Sequence, residues 1–172
     1  MGDLTAPPQI ELVHLDELNT IVDTQAMAIV PLIAPPQGGW IVLLGVRATN
    51  LDGCGLTLTT ALVDGCNGQI IKVDSRPSGL DPDPDRSGWG VTTANGFGNL
   101  PVCPQLTATR DLYDVPYEVR VAIEDRDGRT AQGSITIVPT CPAGDTRCDC
   151  ECDRDFIVGN ACPTPAMHAT CP

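Results

Sequence analysis

Tyr117-Glu118-Val119-Arg120-Val121-Ala122-Ile123-Glu124 alternates large apolar residues with polar or small ones. Strand side chains project to opposite faces with period two, so Tyr117, Val119, Val121 and Ile123 share one face and the remaining four share the other. A helix would scatter both sets around its circumference. Asp125-Arg126-Asp127-Gly128 then supplies a turn, and Ser134-Ile135-Thr136-Ile137-Val138 alternates again. Two alternating runs around an Asp-Gly turn predict a β-hairpin whose apolar face lies on a core.

The neighbouring segments read the same way. Leu56 to Val63 alternates apolar residues with threonine, Asp64-Gly65-Cys66-Asn67-Gly68 turns, and Gln69 to Asp74 returns. Trp40 to Thr49 is nearly continuous in apolar residues, as a strand buried on both faces is. Ile10 to Leu15 reads as a first strand, and Gln25 to Val30 as another, stopped by Pro31. Leu12, Leu15, Leu18, Ile21 and Val22 also have near-helical spacing, which leaves a helix within 10–30 as the alternative. Residues 75–100 carry prolines and glycines throughout and read as one long loop.

Composition agrees. Among 172 residues there are 17 glycines and 16 prolines, and aspartate outnumbers glutamate 17 to 5. Such a chain turns often and has little room for long helices. About six to eight short strands with no strand–helix alternation predict an all-β, antiparallel β-sandwich. It divides into an N-terminal tether at 1–8, the sandwich at 9–140 and a Cys-rich tail at 141–172.

Nine cysteines are present: Cys54, Cys66, Cys103, Cys141, Cys148, Cys150, Cys152, Cys162 and Cys171. No pair has C-x-x-C spacing, and the tight run Cys148-Asp-Cys150-Glu-Cys152 is unlike a zinc ribbon, so disulfides are expected over a thiolate metal cluster. An odd count leaves at least one thiol without a partner in the chain. Cys54 and Cys66 flank a strand of about eight residues, too long for a bridge at about 3.3 Å per residue. At least one of them should therefore bond to a distant cysteine, Cys103 being the best candidate, and Cys141 should tie to the tail. Large apolar residues in the tail are few (Phe156, Ile157, Val158, Met167), so its order should depend on disulfides among Cys148, Cys150, Cys152, Cys162 and Cys171.

Disulfide chemistry implies an oxidising compartment. The opening Met1-Gly2-Asp3-Leu4-Thr5-Ala6-Pro7-Pro8 is no export signal, so an upstream segment is expected to have been removed. A polar, Pro-containing start of this kind suits the tether after a bacterial lipoprotein cysteine.

Tyr117 to Val138, running into Pro139, resembles the last two strands of secreted bacterial Ig-like domains of the PKD and cadherin-like kind. Pro36-Gln37-Gly38-Gly39-Trp40 and the strand after it resemble the opening of sandwich domains in uncharacterised myxobacterial surface lipoproteins. The resemblance covers roughly residues 9–140. It implies an Ig-like architecture and a location outside the cell or in the envelope, on the outer-membrane surface or in the periplasm. It carries no catalytic residues to this chain. The Cys…Trp…Cys spacing of antibody-type domains, with a tyrosine two residues before the second cysteine, is missing.

Asp81-Pro82-Asp83-Pro84-Asp85 places three carboxylates at alternate positions, the donor type calcium takes. Arg86 and Thr92 stand where a helix–loop–helix calcium loop has glycine and glutamate, and the competing reading is a solvated acidic loop. Asp125 and Asp127 could add ligands, against the simpler reading of turn chemistry. Trp89, in Ser87-Gly88-Trp89-Gly90, reads as a plug over the sandwich end or as an exposed binding contact. Four serines, no G-x-S-x-G and only His14 and His168 give no nucleophile–base arrangement. A formal net charge of −12 disfavours nucleic acid, and leaves a lipid anchor as the route to a membrane. The expected function is a non-enzymatic surface or envelope component that binds other envelope or extracellular proteins. The alternative is a small adhesion or carbohydrate-binding module, calcium-dependent, using residues 75–100.

Overall fold

A computed structural model describes residues 1–164 and 167–172. Among them the elements run, in order, β1 (Gln9–Leu15), β2 (Ile21–Asp23), β3 (Ala28–Pro31), β4 (Trp40–Thr49), β5 (Leu56–Val63), β6 (Ile70–Ser78), β7 (Leu80–Pro82), β8 (Trp89–Thr92), β9 (Gly98–Cys103), β10 (Tyr117–Glu124), β11 (Thr130–Thr140) and α1 (Thr146–Cys152). The class is all-β.

The expected hairpin is β10–β11. Its register sets Tyr117 opposite Ile137, Val119 opposite Ile135 and Ile123 opposite Ala131, so one face is supplied from both strands. Tyr117, Val119, Val121 and Ile123 are all buried, while Arg120 is exposed. This hairpin is central to a five-stranded sheet of order β3-β11-β10-β5-β6. The second sheet has order β2-β1-β4-β8-β7, with β9 also on β4. Val42, Leu44, Val46, Leu100 and Val102 of this sheet share one buried cluster with Leu58, Leu62, Val119, Val121 and Ile137 of the other. Two sheets closing on one core make a β-sandwich.

β4 is buried almost throughout, as its apolar run predicts. Its outer face is covered by a second cluster of Val13, Leu15, Val91 and Phe97. Gly45 permits this: a Cβ there would lie 2.8 Å from Phe97 Cε1.

Several boundaries move. Residues 75–100 are not one loop, since they hold the end of β6, all of β7 and β8, and the start of β9. β7 and β8 are three and four residues long, too short to show alternation, and are defined by pairing with each other and, for β8, with β4. The 10–30 segment is strand, and α1 is the one helix among the described residues. β3 starts later than expected and runs through Pro31, which an edge strand tolerates because it need not donate to a ladder. It pairs with β11 in parallel, the exception in an otherwise antiparallel set. Residues 1–8 lie against the sandwich: the Met1 amino group donates to Leu51 O at 2.6 Å, and Asn50 Nδ2 donates to Pro7 O at 2.8 Å.

Four disulfides join Cys66–Cys171, Cys103–Cys152, Cys141–Cys148 and Cys150–Cys162. Cys66 does bond to a distant cysteine, but to Cys171 and not to Cys103. Cys66 is in the β5–β6 turn, where the C-terminal segment arrives, whereas Cys103 ends β9 beside α1. Cys141 ties to the tail, through Cys148. Of the five remaining tail cysteines only Cys150 and Cys162 pair with each other. Cys54 is free and exposed, contrary to its expected place among the bridged cysteines. It precedes β5 while Cys66 follows it, so about 26 Å of strand separates the two, and the other bridges gather at the Cys66 end.

Candidate functional site

The sequence-predicted metal residues do not converge. Asp83 is turned inward with its side chain fully buried, and Arg47 NH1 pairs with its Oδ2. Asp81 and Asp85 stay exposed, and Asp83 Oδ1 accepts the Asp85 backbone N–H at 3.0 Å. Burial pushes the Asp83 carboxyl up, but that N–H and the Arg47 guanidinium outweigh it and hold the group below its ordinary value. Asp125 is likewise buried and filled. Its oxygens accept the backbone N–H groups of Asp52, Asp127 and Arg129 at 3.0–3.1 Å and pair with Arg129, which is turn chemistry. Trp89 opens β8, half-buried, with the Arg86 guanidinium 3.9 Å above its ring. Arg86 is held there by Glu11. One face of the indole is therefore covered by Arg86.

Asp111, Asp153 and His168 have ligand atoms within 4.8 Å of one another. Their hydrogen bonds account for the arrangement. Asp111 accepts the backbone N–H groups of Arg154 and His168, and its own N–H donates to His168 O at 3.1 Å. The cluster clasps the C-terminal segment onto the end of the sandwich.

Exposed apolar residues gather at one side of the sandwich, where each sheet ends. β2 is the edge of one sheet and β3 the edge of the other. Between them runs a groove of about 420 Å³ lined by Leu18, Val22, Ile29 and Pro31, with Asp16 and Glu17 on its rim and His14 in its floor. Leu18 is 84% exposed and Ile29 70%. Met27, just before β3, is exposed as well.

Local chemistry fixes both walls. Asp16 Oδ1 accepts the N–H groups of Leu18 and Thr20 at 2.9 and 2.8 Å, and Asn19 takes φ 59°. That turn holds Leu18 at its tip, facing outward. Along β3, Val30 enters the core and Ile29 therefore points out. His14 is buried, with Nδ1 3.0 Å from Thr24 Oγ1. Burial lowers its pKa against a smaller upward pull from Asp16, so the floor is neutral at pH 7.

Sequence reasoning missed this site. Leu18 and Val22 counted toward the near-helical spacing within 10–30, whereas Val22 lies on the edge strand β2 and Leu18 in the turn before it. No protein-family model matches the chain, and no curated protein matches it at a significant level. No helix among the described residues is long and apolar enough to cross a membrane.

Proposed function

We propose that this chain is a non-enzymatic component of an extracellular or envelope assembly, and that it docks an extended, basic segment of a partner protein in the groove between β2 and β3. The observation that carries this reading is the exposure of Leu18, in the turn leading into edge strand β2, and of Ile29, on edge strand β3, across one groove. Contiguous exposed apolar surface with a polar rim is the usual mark of an interaction site. β3 has β11 on one side and no strand on the other, so an incoming strand can extend that sheet. Asp16, Glu17 and the net charge of −12 select a basic segment over a second copy of this chain. Four disulfides support an oxidising compartment. The likeness to Ig-like domains of surface lipoproteins points to the same location. Carbohydrate binding through residues 75–100 has less support, because Arg86 covers one face of the Trp89 ring.

The test is an NMR titration of the labelled full chain with a peptide alternating Val/Ile with Lys/Arg, beside a peptide carrying Glu at the charged positions. Docking predicts saturable shifts at Leu18, Val22 and Ile29 with the basic peptide, weakened by salt and lost in Ile29→Glu, a change that an exposed site tolerates. Equal binding of the acidic peptide, shifts elsewhere, an unaffected Ile29→Glu variant, or a dimer by sedimentation would each overturn the reading.

A further inference from the structure

Two of the four disulfides are neighbours. Cys148 and Cys152 lie four residues apart on α1 and both face inward, fully buried, with their sulfurs 3.9 Å apart. Cys141, bonded to Cys148, brings a third sulfur within 4.8 Å of both. Cys103, bonded to Cys152 from the end of β9, lies outside that 4.8 Å group and has to swing toward it when its bridge opens; both Cys103 and Cys141 are buried. We infer that Cys103, Cys141, Cys148 and Cys152 form one four-sulfur site that holds a zinc ion when its two disulfides are reduced.

Three of the four sulfurs are already spaced for the ion. With Zn–S near 2.3 Å, the edge of a tetrahedral tetrathiolate is about 3.8 Å. The Cys148–Cys152 separation already has that length. The two bonded pairs need to open by about 1.7 Å each, from a disulfide to a tetrahedral edge. Their Cα atoms, 5.0 and 5.7 Å apart, leave that to side-chain rotation. Cys148 and Cys152 have three intervening residues, within the spacing usual for zinc ligand pairs. Cys150, on the same helix, pairs outward with Cys162 and stays out of the cluster.

The chemistry balances in two stages. Each disulfide takes two electrons and two protons from a dithiol, which leaves as its own disulfide, so two dithiols yield four cysteine thiols. Zinc then binds the four sulfurs as thiolates and releases four protons. In that state the metal would hold α1 and Cys141 against β9 before, or in place of, the covalent bridges.

The test reduces the full chain with dithiothreitol, removes the reductant under anaerobic conditions and titrates cobalt, then zinc. The expected result is one cobalt per chain with the visible bands of a tetrahedral tetrathiolate, displaced by zinc, together with protection of residues 141–172 from protease. Cys150→Ser with Cys162→Ser should keep the spectrum, and Cys148→Ser should lose the tetrathiolate form. No stoichiometric cobalt binding, a spectrum that survives Cys148→Ser, one that requires Cys150 or Cys162, or a reduced chain that zinc does not protect would each overturn the assignment.

Discussion

Cys66, in the turn between β5 and β6, is bonded to Cys171 across 105 residues of sequence, which pins the C-terminal segment to the end of the sandwich. The tail has almost no core of its own, so the bridge and the Asp111 clasp hold it. Replacing both cysteines with alanine should cost about 2–4 kcal/mol, because a long loop is released in the unfolded chain. The Cys103–Cys152 bridge shortens that loop and keeps the loss below the single-bridge maximum. Thermal melts should show the loss, and limited proteolysis should cut first after α1. Unchanged stability would mean that the clasp alone secures the segment.

The pairing of Arg47 with Asp83 separates two accounts of the Asp81-Pro82-Asp83-Pro84-Asp85 run. Asp83→Ala should cost about 1–3 kcal/mol, since it removes the buried acceptor of Arg47, which keeps Asp23 at 2.8 Å as its other partner. Asp81→Ala and Asp85→Ala should each stay within about 0.5 kcal/mol, because both side chains are exposed. Similar losses at all three positions in urea melts would contradict this placement of Asp83.

Acid should destabilise the sandwich over a defined range. Burial raises the carboxyls of Asp64, Asp83 and Asp125, but hydrogen bonds and nearby arginines outweigh it and hold all three below the ordinary value. A carboxyl depressed in the folded state contributes stability above its unfolded pKa of about 3.9 and loses it as pH falls through the folded value. Asp149 is shifted upward, first by burial, and works in the opposite sense. His14, whose pKa burial lowers, takes up its proton less readily in the folded chain, so stability should decline gently below about pH 6.5, and the depressed carboxyls should add a steep fall below about pH 4. Urea midpoints measured across pH would check it, and Asp125→Asn should flatten the slope.

How far these features were legible depends on the length over which each pattern repeats. Tyr117 to Glu124 holds its alternation for eight residues, and β4 holds its apolar run for ten. Both reported their environment directly. β7 and β8 are too short for any period, and β8 exists because Arg47, Ala48 and Thr49 of a distant strand pair with it. The bridges were legible only by exclusion. Strand length forbids Cys54–Cys66, but choosing Cys171 requires the path of the C-terminal segment. The groove was the least legible feature. Ile29 is apolar whether a neighbouring strand covers it or not, and only topology leaves it uncovered, while Leu18 is held out at the tip of the Asp16 turn.

Docking of the tail helix can be tested through Trp40. Its Nε1 is buried and donates to Glu151 Oε2 at 2.9 Å, while Arg147 holds the other oxygen at 2.8 Å. Glu151→Leu should cost about 1–3 kcal/mol by leaving the indole N–H unpaired, and Glu151→Gln should cost less because an acceptor remains. In a Trp40→Phe background the Glu151→Leu loss should largely vanish, since no donor is stranded. An undiminished loss there would assign the effect to helix propensity or to Arg147.

The sharpest comparison concerns adjacent residues of β10. Val121 is 1% exposed and stands opposite Gly133 of β11, while Arg120 points to solvent and pairs with Glu118 on its own strand. Val121→Asp would place an unpaired carboxylate between the sheets, beside Val119 and Ile123, where neither water nor a cation is available to it. That cost runs to several kcal/mol, a large share of the roughly 5–15 kcal/mol that holds a domain together. Arg120→Asp introduces the same side chain one residue away and gives up one surface ion pair, worth at most about 1 kcal/mol. Arg120→Asp shifts the net charge by two and Val121→Asp by one, and strand propensity spans only about 1 kcal/mol, so neither explains a loss of several kcal/mol at Val121 alone. Circular dichroism and thermal melts should find Arg120→Asp folded with a small shift in midpoint, and Val121→Asp unfolded or insoluble. Comparable melting of the two variants would mean that β10 does not present Val121 to a core, and the two-sheet architecture would fail with it.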